Sequence, residues 1–228
     1  LPDSARKTIK AVIFDFDGLI IDSETPELQV WRESFAEHGH ELRPELWSSV
    51  IGRPSTYFNM YAYFREHVNP SADIEALRRA HRARVVALTL EQPVLPGIED
   101  YLRDAARMGL KVGLASSSSR QHVHGHLDRL DLSAHFHATR CFEDTGAHKP
   151  DPAPYLAVLD DLGVAATETV AFEDSPNGVT SARAAGIFCV AVPNAVTRML
   201  SLDHADYKVD SLADEPLAGI LARAIPLV

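Results

Sequence analysis

Four short stretches hold most of the side chains able to do chemistry. Asp15-Phe16-Asp17-Gly18 follows an apolar run, Ala11 to Phe14. Ser116-Ser117-Ser118-Ser119 follows another, Lys111 to Ala115. Glu173-Asp174-Ser175 follows Thr169 to Phe172, and His148-Lys149-Pro150-Asp151-Pro152 precedes a segment with helical spacing. Brought together, Asp15, Asp17, Glu173 and Asp174 would crowd negative charge into one crevice. Carboxylates a few ångströms apart do not all stay ionised without a cation. A hard divalent ion resolves that, and magnesium suits a few carboxylates plus waters plus a phosphate. Lys149 and the Ser116 hydroxyl supply the charge and hydrogen bond that a phosphate group needs. Ser118 or Ser119 is placed to cap the following helix, whose free N–H groups favour an anion. Asp15 and Asp17, two residues apart at a strand exit, suit in-line attack by one carboxylate and proton transfer by the other. Gly18 lets the chain turn sharply beside them.

The elements that must position these groups are legible as alternating patterns. The apolar runs read as buried strands, and Phe188 to Val192 is a fourth. Between them, Ile98 to Met108, Pro152 to Leu162 and Pro176 to Ala185 carry apolar residues at helical spacing, each followed by glycine. Helix, glycine, apolar strand, repeated, predicts βα units around a parallel sheet, and such sheets bind ligands at the carboxyl ends of their strands. From about Pro26 to Gln92 the pattern changes. Leu28, Trp31 and Phe35 fit one helical face, and Leu77, Ala80, Arg84, Val85 and Leu88 another. This stretch reads as a helical insertion, punctuated by Pro26 and by Pro93, Pro96 and Gly97.

The 228 residues are 46% hydrophobic and carry a formal net charge of −10, enough chain for a large core and the wrong sign for nucleic acid or anionic membrane. No apolar stretch approaches membrane-spanning length, and Leu1 to Lys10 lacks a signal core, so a cytoplasmic location is the default. Cys141 and Cys189 lie in or beside apolar segments and are expected as buried free thiols.

Val12 to Glu24 resembles the first motif of the haloacid dehalogenase-like superfamily. Leu114-Ala115-Ser116-Ser117-Ser118, Lys149-Pro150-Asp151-Pro152 and Phe172 to Gly178 resemble the second, third and fourth, in family order. The helical insertion is similar to the small cap of the β-phosphoglucomutase-like branch. The resemblance implies an α/β fold: a doubly wound, Rossmann-like parallel-sheet core of residues 1–25 and 93–228 with an α-helical cap of residues 26–92. It implies a magnesium-dependent phosphatase acting on a small phosphorylated metabolite, possible sugar phosphates among them, as a monomer. Asp15 would form an aspartyl-phosphate, and Asp17 would protonate the leaving group and then activate water. Asp15, the backbone carbonyl of Asp17, Glu173 and Asp174 would surround Mg2+. Ser116 and Lys149 would hold the transferring phosphoryl, with the Ser117 backbone N–H as a further donor. Glu173 is open between direct ligand and supporting acid. Arg53, in the cap loop Gly52-Arg53-Pro54, is open between a substrate contact and an ordinary surface arginine.

Two other functions fit the same residues. A sugar phosphomutase would use Asp15 identically, but mutases of this branch typically carry a histidine early in the first cap helix, where Glu27 stands here. A non-catalytic phosphate-binding module would reuse the fold, and the intact set Asp15, Asp17, Ser116, Lys149 and Asp174 argues against it. His122, His124 and His126 have no acid or cysteine to complete a zinc site and are expected on a solvated helix face. Trp31 and Trp47 are expected in the core of the cap.

Overall fold

Val12 and Phe14 face one side of the first strand and Ala11 and Ile13 the other, because successive strand residues alternate faces. All four are fully buried, so both faces must be covered by other elements. The computed structural model describes residues 8–48 and 58–225. After β1 (Ala11–Phe14) come α1 (Glu24–Glu37), α2 (Pro44–Ser48), α3 (Met60–His67) and α4 (Ile74–Leu90). Next are α5 (Ile98–Arg107), β2 (Lys111–Ala115), α6 (Arg120–Arg129), β3 (Ala138–Arg140), α7 (Phe142–Thr145) and α8 (Ala153–Leu162). The chain ends with β4 (Thr169–Glu173), α9 (Pro176–Ala184), β5 (Phe188–Ala191), β6 (Tyr207–Lys208) and α10 (Leu217–Ala224).

The six strands of the described residues form one sheet in the order β3-β2-β1-β4-β5-β6, parallel throughout. Val12 and Phe14 pack with Ile98 and Leu102 of α5, Val123 and Leu127 of α6, and Leu217 and Ile220 of α10. Ala11 and Ile13 pack with Tyr155 and Val158 of α8 and Val179 and Ala182 of α9. Each such large apolar side chain stabilises the fold by about 1.5–3 kcal/mol relative to exposure. The arrangement is the expected doubly wound α/β core. The chain runs outward from β1 through β2 to β3 and then returns to β4 on the other side, which opens a crevice at the end of β1.

β3 and β6 lack the apolar run that marks the other strands, being Ala-Thr-Arg and Tyr-Lys, and so fall outside the sequence pattern. Each sits at a sheet edge, where one neighbour suffices.

The described part of the insertion is helical, as expected, and its Trp31, Phe35, Trp47, Met60 and Phe64 form a third cluster that also takes in Val196 from the segment after β5. Both tryptophans are buried in it. α1 begins at Glu24, two residues before Pro26, because the Asp22 carboxylate accepts from the N–H groups of Glu24 and Thr25. On α4 the buried face is turned relative to expectation. His81 and Leu88 are inside, and Ala80 and Arg84 are exposed. His81 replaces them because its Nε2 lies 2.6 Å from the Ser34 hydroxyl of α1. Among the described residues no helix is long and apolar enough to cross a membrane.

Candidate active site

The register of β1 with its neighbours aligns the chemistry. Phe14 pairs with Leu114 on one side and Phe172 on the other. The next residues out of the three strands are therefore Asp15, Ala115 and Glu173, at one level of the sheet edge. Stacking of Phe14 on Phe172, with centroids 5.1 Å apart, fixes that level from below. The Asp15 N–H donates to the Phe172 carbonyl at 3.0 Å and the Ser116 N–H to the Arg140 carbonyl at 2.9 Å. Gly18 then bends the chain back, with φ +82° and its N–H 2.8 Å from the Ile21 carbonyl. A Cβ there would lie 2.3 Å from Asp174 Oδ2 and 2.6 Å from Asn194 Nδ2, so only glycine brings this loop against β4.

Oxygens of Asp15, Glu173 and Asp174 converge within 4.8 Å of one another, and all three residues are buried. Lys149 donates its ammonium to Asp15 Oδ1 and to Glu173 Oε1. Its side chain is only 6% exposed, so it serves the site and not the solvent. Tyr155 OH donates to the same Glu173 Oε1 at 2.6 Å. Asp174 Oδ2 accepts from Asn194 Nδ2 at 2.8 Å, and Asn194 also reaches the Gly18 carbonyl at 3.2 Å.

Three carboxylates thus share one ammonium in a desolvated space, and the charge does not balance. Burial, and then the neighbouring Glu173, push the Asp15 carboxyl up to about 8 despite Lys149. Burial, followed by Glu24, Asp15 and Glu173, pushes Asp174 well above the carboxylate range. Glu24 is likewise driven up to about 7, chiefly by burial. An oxygen-lined, over-acidic cluster of this kind fits a hard divalent cation, which would let all three acids ionise.

Ser116 is 1% exposed, and its Oγ accepts from the Ser118 N–H at 3.0 Å, leaving the hydroxyl proton to donate. The Ser117 hydroxyl accepts from the Lys149 N–H at 3.0 Å and so ties the Lys149 loop to the end of β2. Ser119 caps α6, its Oγ accepting from the His122 N–H, while Ser118 does something else. Ser118 Oγ donates to Asp17 Oδ2 at 2.6 Å.

Asp17 stands apart from the three-acid cluster. Its Oδ1 lies 2.9 Å from His122 Nε2. Burial raises its carboxyl, but hydrogen bonds from His122, Ser118 and Ser23 outweigh burial and hold it below the usual range. One sequence expectation is corrected here. His122 and His126 do not stand on a solvated helix face: His122 meets Asp17, and His126 is buried against Phe16. The first-turn position of α6 brings His122 back over the β1 loop, which no local pattern encodes. Tyr155 and Asn194 were missed for the same reason, since each lies far from the stretches it serves; Glu24 ends the first motif, but its burial in the site comes only from packing.

A cavity of about 1080 Å³ lies between the sheet edge and the insertion. Asp15, Asp17, Ser116, Ser117, Lys149 and Asp174 line its floor, and Glu24, Glu27, Trp31, Trp47, Tyr61 and Arg78 its other walls. Arg53 lies outside the described residues.

Comparison with known proteins places this constellation. Residues 12–192 match the family model of the haloacid dehalogenase-like hydrolases. The chain belongs to that family. This haloacid dehalogenase-like hydrolase is 41% identical over 213 residues to YhcW of Bacillus subtilis (strain 168), covering 93% of the chain and 96% of YhcW. It is 34% identical over 193 residues to hexitol phosphatase B of Escherichia coli (strain K12), covering 83% and 86%. CbbY from Rhodobacter sphaeroides, crystallised with phosphate, superimposes with a TM-score of 0.71 at 28% identity, over 93% of this chain and 99% of that one. The hydrolase lies in the β-phosphoglucomutase-like branch and is an enzyme of the phosphatase type.

Proposed function

We propose that this hydrolase is a magnesium-dependent phosphatase of small phosphorylated metabolites, working through an aspartyl-phosphate on Asp15. The observation that carries the reading is Asp15 on the cavity floor, held by Lys149 and within 4.8 Å of Glu173 and Asp174 oxygens. Asp15, the backbone carbonyl of Asp17, Glu173 and Asp174 would hold the ion. When bound, the ion neutralises the carboxylates and polarises a phosphoryl oxygen. A carboxylate oxygen of Asp15 attacks phosphorus as the ester P–O bond breaks. Asp17, a carboxylate in the free enzyme, takes up a proton from solvent as substrate binds and gives it to the leaving oxygen. Asp17, again a carboxylate, then takes a proton from water as that water attacks the phosphorus, and Asp15 is freed with release of phosphate. Lys149, the Ser116 hydroxyl and the Ser117 N–H hold the phosphoryl oxygens throughout. Glu173 Oε1 is already shared by Lys149 and Tyr155, which favours a role in fixing Lys149 alongside any contact with the ion.

The cavity walls suit a polyol or sugar phosphate. Tryptophan and tyrosine faces accompany two carboxyl groups, and among the described residues Glu24 Oε2 and Trp47 Nε1 are buried without a partner. A hydroxyl both donates and accepts, so it can answer each. Residues 26–92 would act as the cap and close over a core of 1–25 and 93–228, excluding bulk water, with Arg53 a contact from the cap loop.

The test is phosphate release from a panel of sugar phosphates, polyol phosphates, nucleotides and p-nitrophenyl phosphate, with magnesium and with a chelator. Release that requires magnesium is expected. Interconversion of sugar-phosphate isomers without release would establish the mutase instead.

Metal binding also predicts a pH-dependent stability. The folded value for Asp15, about 8, lies above its ordinary 3.8. Between those values the folded state holds a proton that the unfolded state has lost, so stability of the metal-free protein falls as pH rises through that window. Magnesium competes with that proton. Its stabilisation is therefore expected to be larger near about pH 8 than near about pH 5.5. At a hundredfold excess over Kd it reaches about 2.7 kcal/mol, or a Tm gain of about 5–10 °C. A gain equal at both pH values, followed by scanning calorimetry, would contradict the buried-acid account.

A further inference from the structure

We infer that His122 is a positioning residue for Asp17, and that its hydrogen bond aims the acid/base at the ester oxygen of the substrate. The inference rests on the reading of Asp17 as acid/base and extends it to a residue outside the four motifs.

Asp17 is on the loop after β1, where Ser23 of the same loop also hydrogen-bonds its carboxyl. Its two oxygens are held separately, Oδ2 by Ser118 at 2.6 Å and Oδ1 by His122 at 2.9 Å, both from the segment after β2. In the substrate-free enzyme Asp17 is a carboxylate and only accepts, so the imidazole Nε2 carries the donated proton. The ring of His122 is itself boxed. Phe16 meets it edge-on with centroids 5.6 Å apart, and His126, one turn further along α6, meets it at 4.8 Å. His126 is anchored in turn by Arg129, whose Nε lies 3.3 Å from its Nδ1 and whose Nη2 donates to the Gln92 carbonyl at 2.9 Å. A side chain already packed on two rings loses little further freedom when it binds Asp17, so the bond imposes direction at small entropic cost. His122 also lines the substrate cavity. Ser119 caps α6 through the His122 N–H, which sets the first turn and therefore the direction of the ring.

The experiment separates aim from fold by changing the leaving group. p-Nitrophenolate departs as a stable anion and needs little protonation, whereas an alkoxide needs a well-placed acid. kcat/KM, which covers binding through loss of the leaving group, is measured for p-nitrophenyl phosphate and for an alkyl or polyol phosphate. Asp17→Asn gives the reference pattern, a loss much larger on the alkyl ester. His122→Phe, which keeps the ring packing, is expected to show the same pattern in weaker form. Its loss on the alkyl ester, about 10–100-fold, exceeds its loss on the aryl ester by at least about tenfold. His122→Leu gives the same readout should the phenylalanine variant misfold. His122→Gln, which keeps a donor at the reach of Nε2, is expected to recover most of the difference. Equal losses on both esters, or alkyl-ester activity equal to wild type in both His122→Phe and His122→Leu, would overturn the inference. Failure of the underlying reading looks different: wild type would release no phosphate, or Asp17→Asn would show no preference between the esters.

Discussion

Asp15→Asn is expected to lower kcat/KM by about 10⁴–10⁶-fold, the range in which removal of a covalent nucleophile falls. Asparagine keeps the shape of the side chain and one oxygen for Lys149, so the loss is chemical and not structural. Its stability signature points the opposite way. Asp15 is one of three buried acids that share a single ammonium, and burial has pushed its carboxyl up to about 8. Replacing it with a neutral isostere removes a charge that the metal-free fold disfavours. In chelator at about pH 8, the variant is expected to melt no lower than wild type, and its gain on adding magnesium to shrink. An inactive variant that is stable without metal and responds poorly to it would locate both nucleophile and ion at Asp15. Retention of more than about 1% of activity would assign the nucleophile elsewhere.

Lys149→Met carries the second large effect, and here activity and stability fall together. The ammonium faces Asp15 and Glu173 from a side chain 6% exposed. Its removal leaves three carboxylates without their cation, and breaking a buried pair from one side costs about 3–5 kcal/mol. It also removes a donor aimed at charge developing on the phosphoryl oxygens, worth about 10²–10³ in kcat. Magnesium is expected to return part of the stability, because a dication relieves the same repulsion, and little of the rate. Denaturant titrations with and without magnesium, set beside kcat, separate the two. Lys149→Arg is expected to recover stability better than rate, since a planar fork does not occupy the place of a compact ammonium. Full activity in Lys149→Met would remove Lys149 from the chemistry.

Most of the fold was legible in local pattern. Strands buried on both faces read as unbroken apolar runs, as in Ala11–Phe14, and the helices that cover them stop at glycine, as α8 does at Gly163. What lacked such a signature was missed. β3 and β6 are edge strands of three and two residues, held by one neighbour each, and need no apolar run. On α4, helical spacing alone left the rotation open by one position, and the hydrogen bond between His81 and Ser34 decided it.

For the site, residue types and their order determined that this chain carries clustered carboxylates, a lysine and hydroxyls at strand ends, and so what class of chemistry suits it. Those properties belong to short stretches, and short stretches keep them wherever they stand. Which oxygen meets which donor was decided only by tertiary structure. The distances among Asp15, Glu173 and Asp174 follow from the register of β1 with β4. The pairing of Asp17 with His122 joins residues 105 positions apart, through the winding of one helix over another strand's loop. Burial, which drives Asp15 up while hydrogen bonds hold Asp17 down, is a property of the packed whole. Two aspartates of identical type, two residues apart, therefore acquire different chemistry from surroundings contributed by distant parts of the chain.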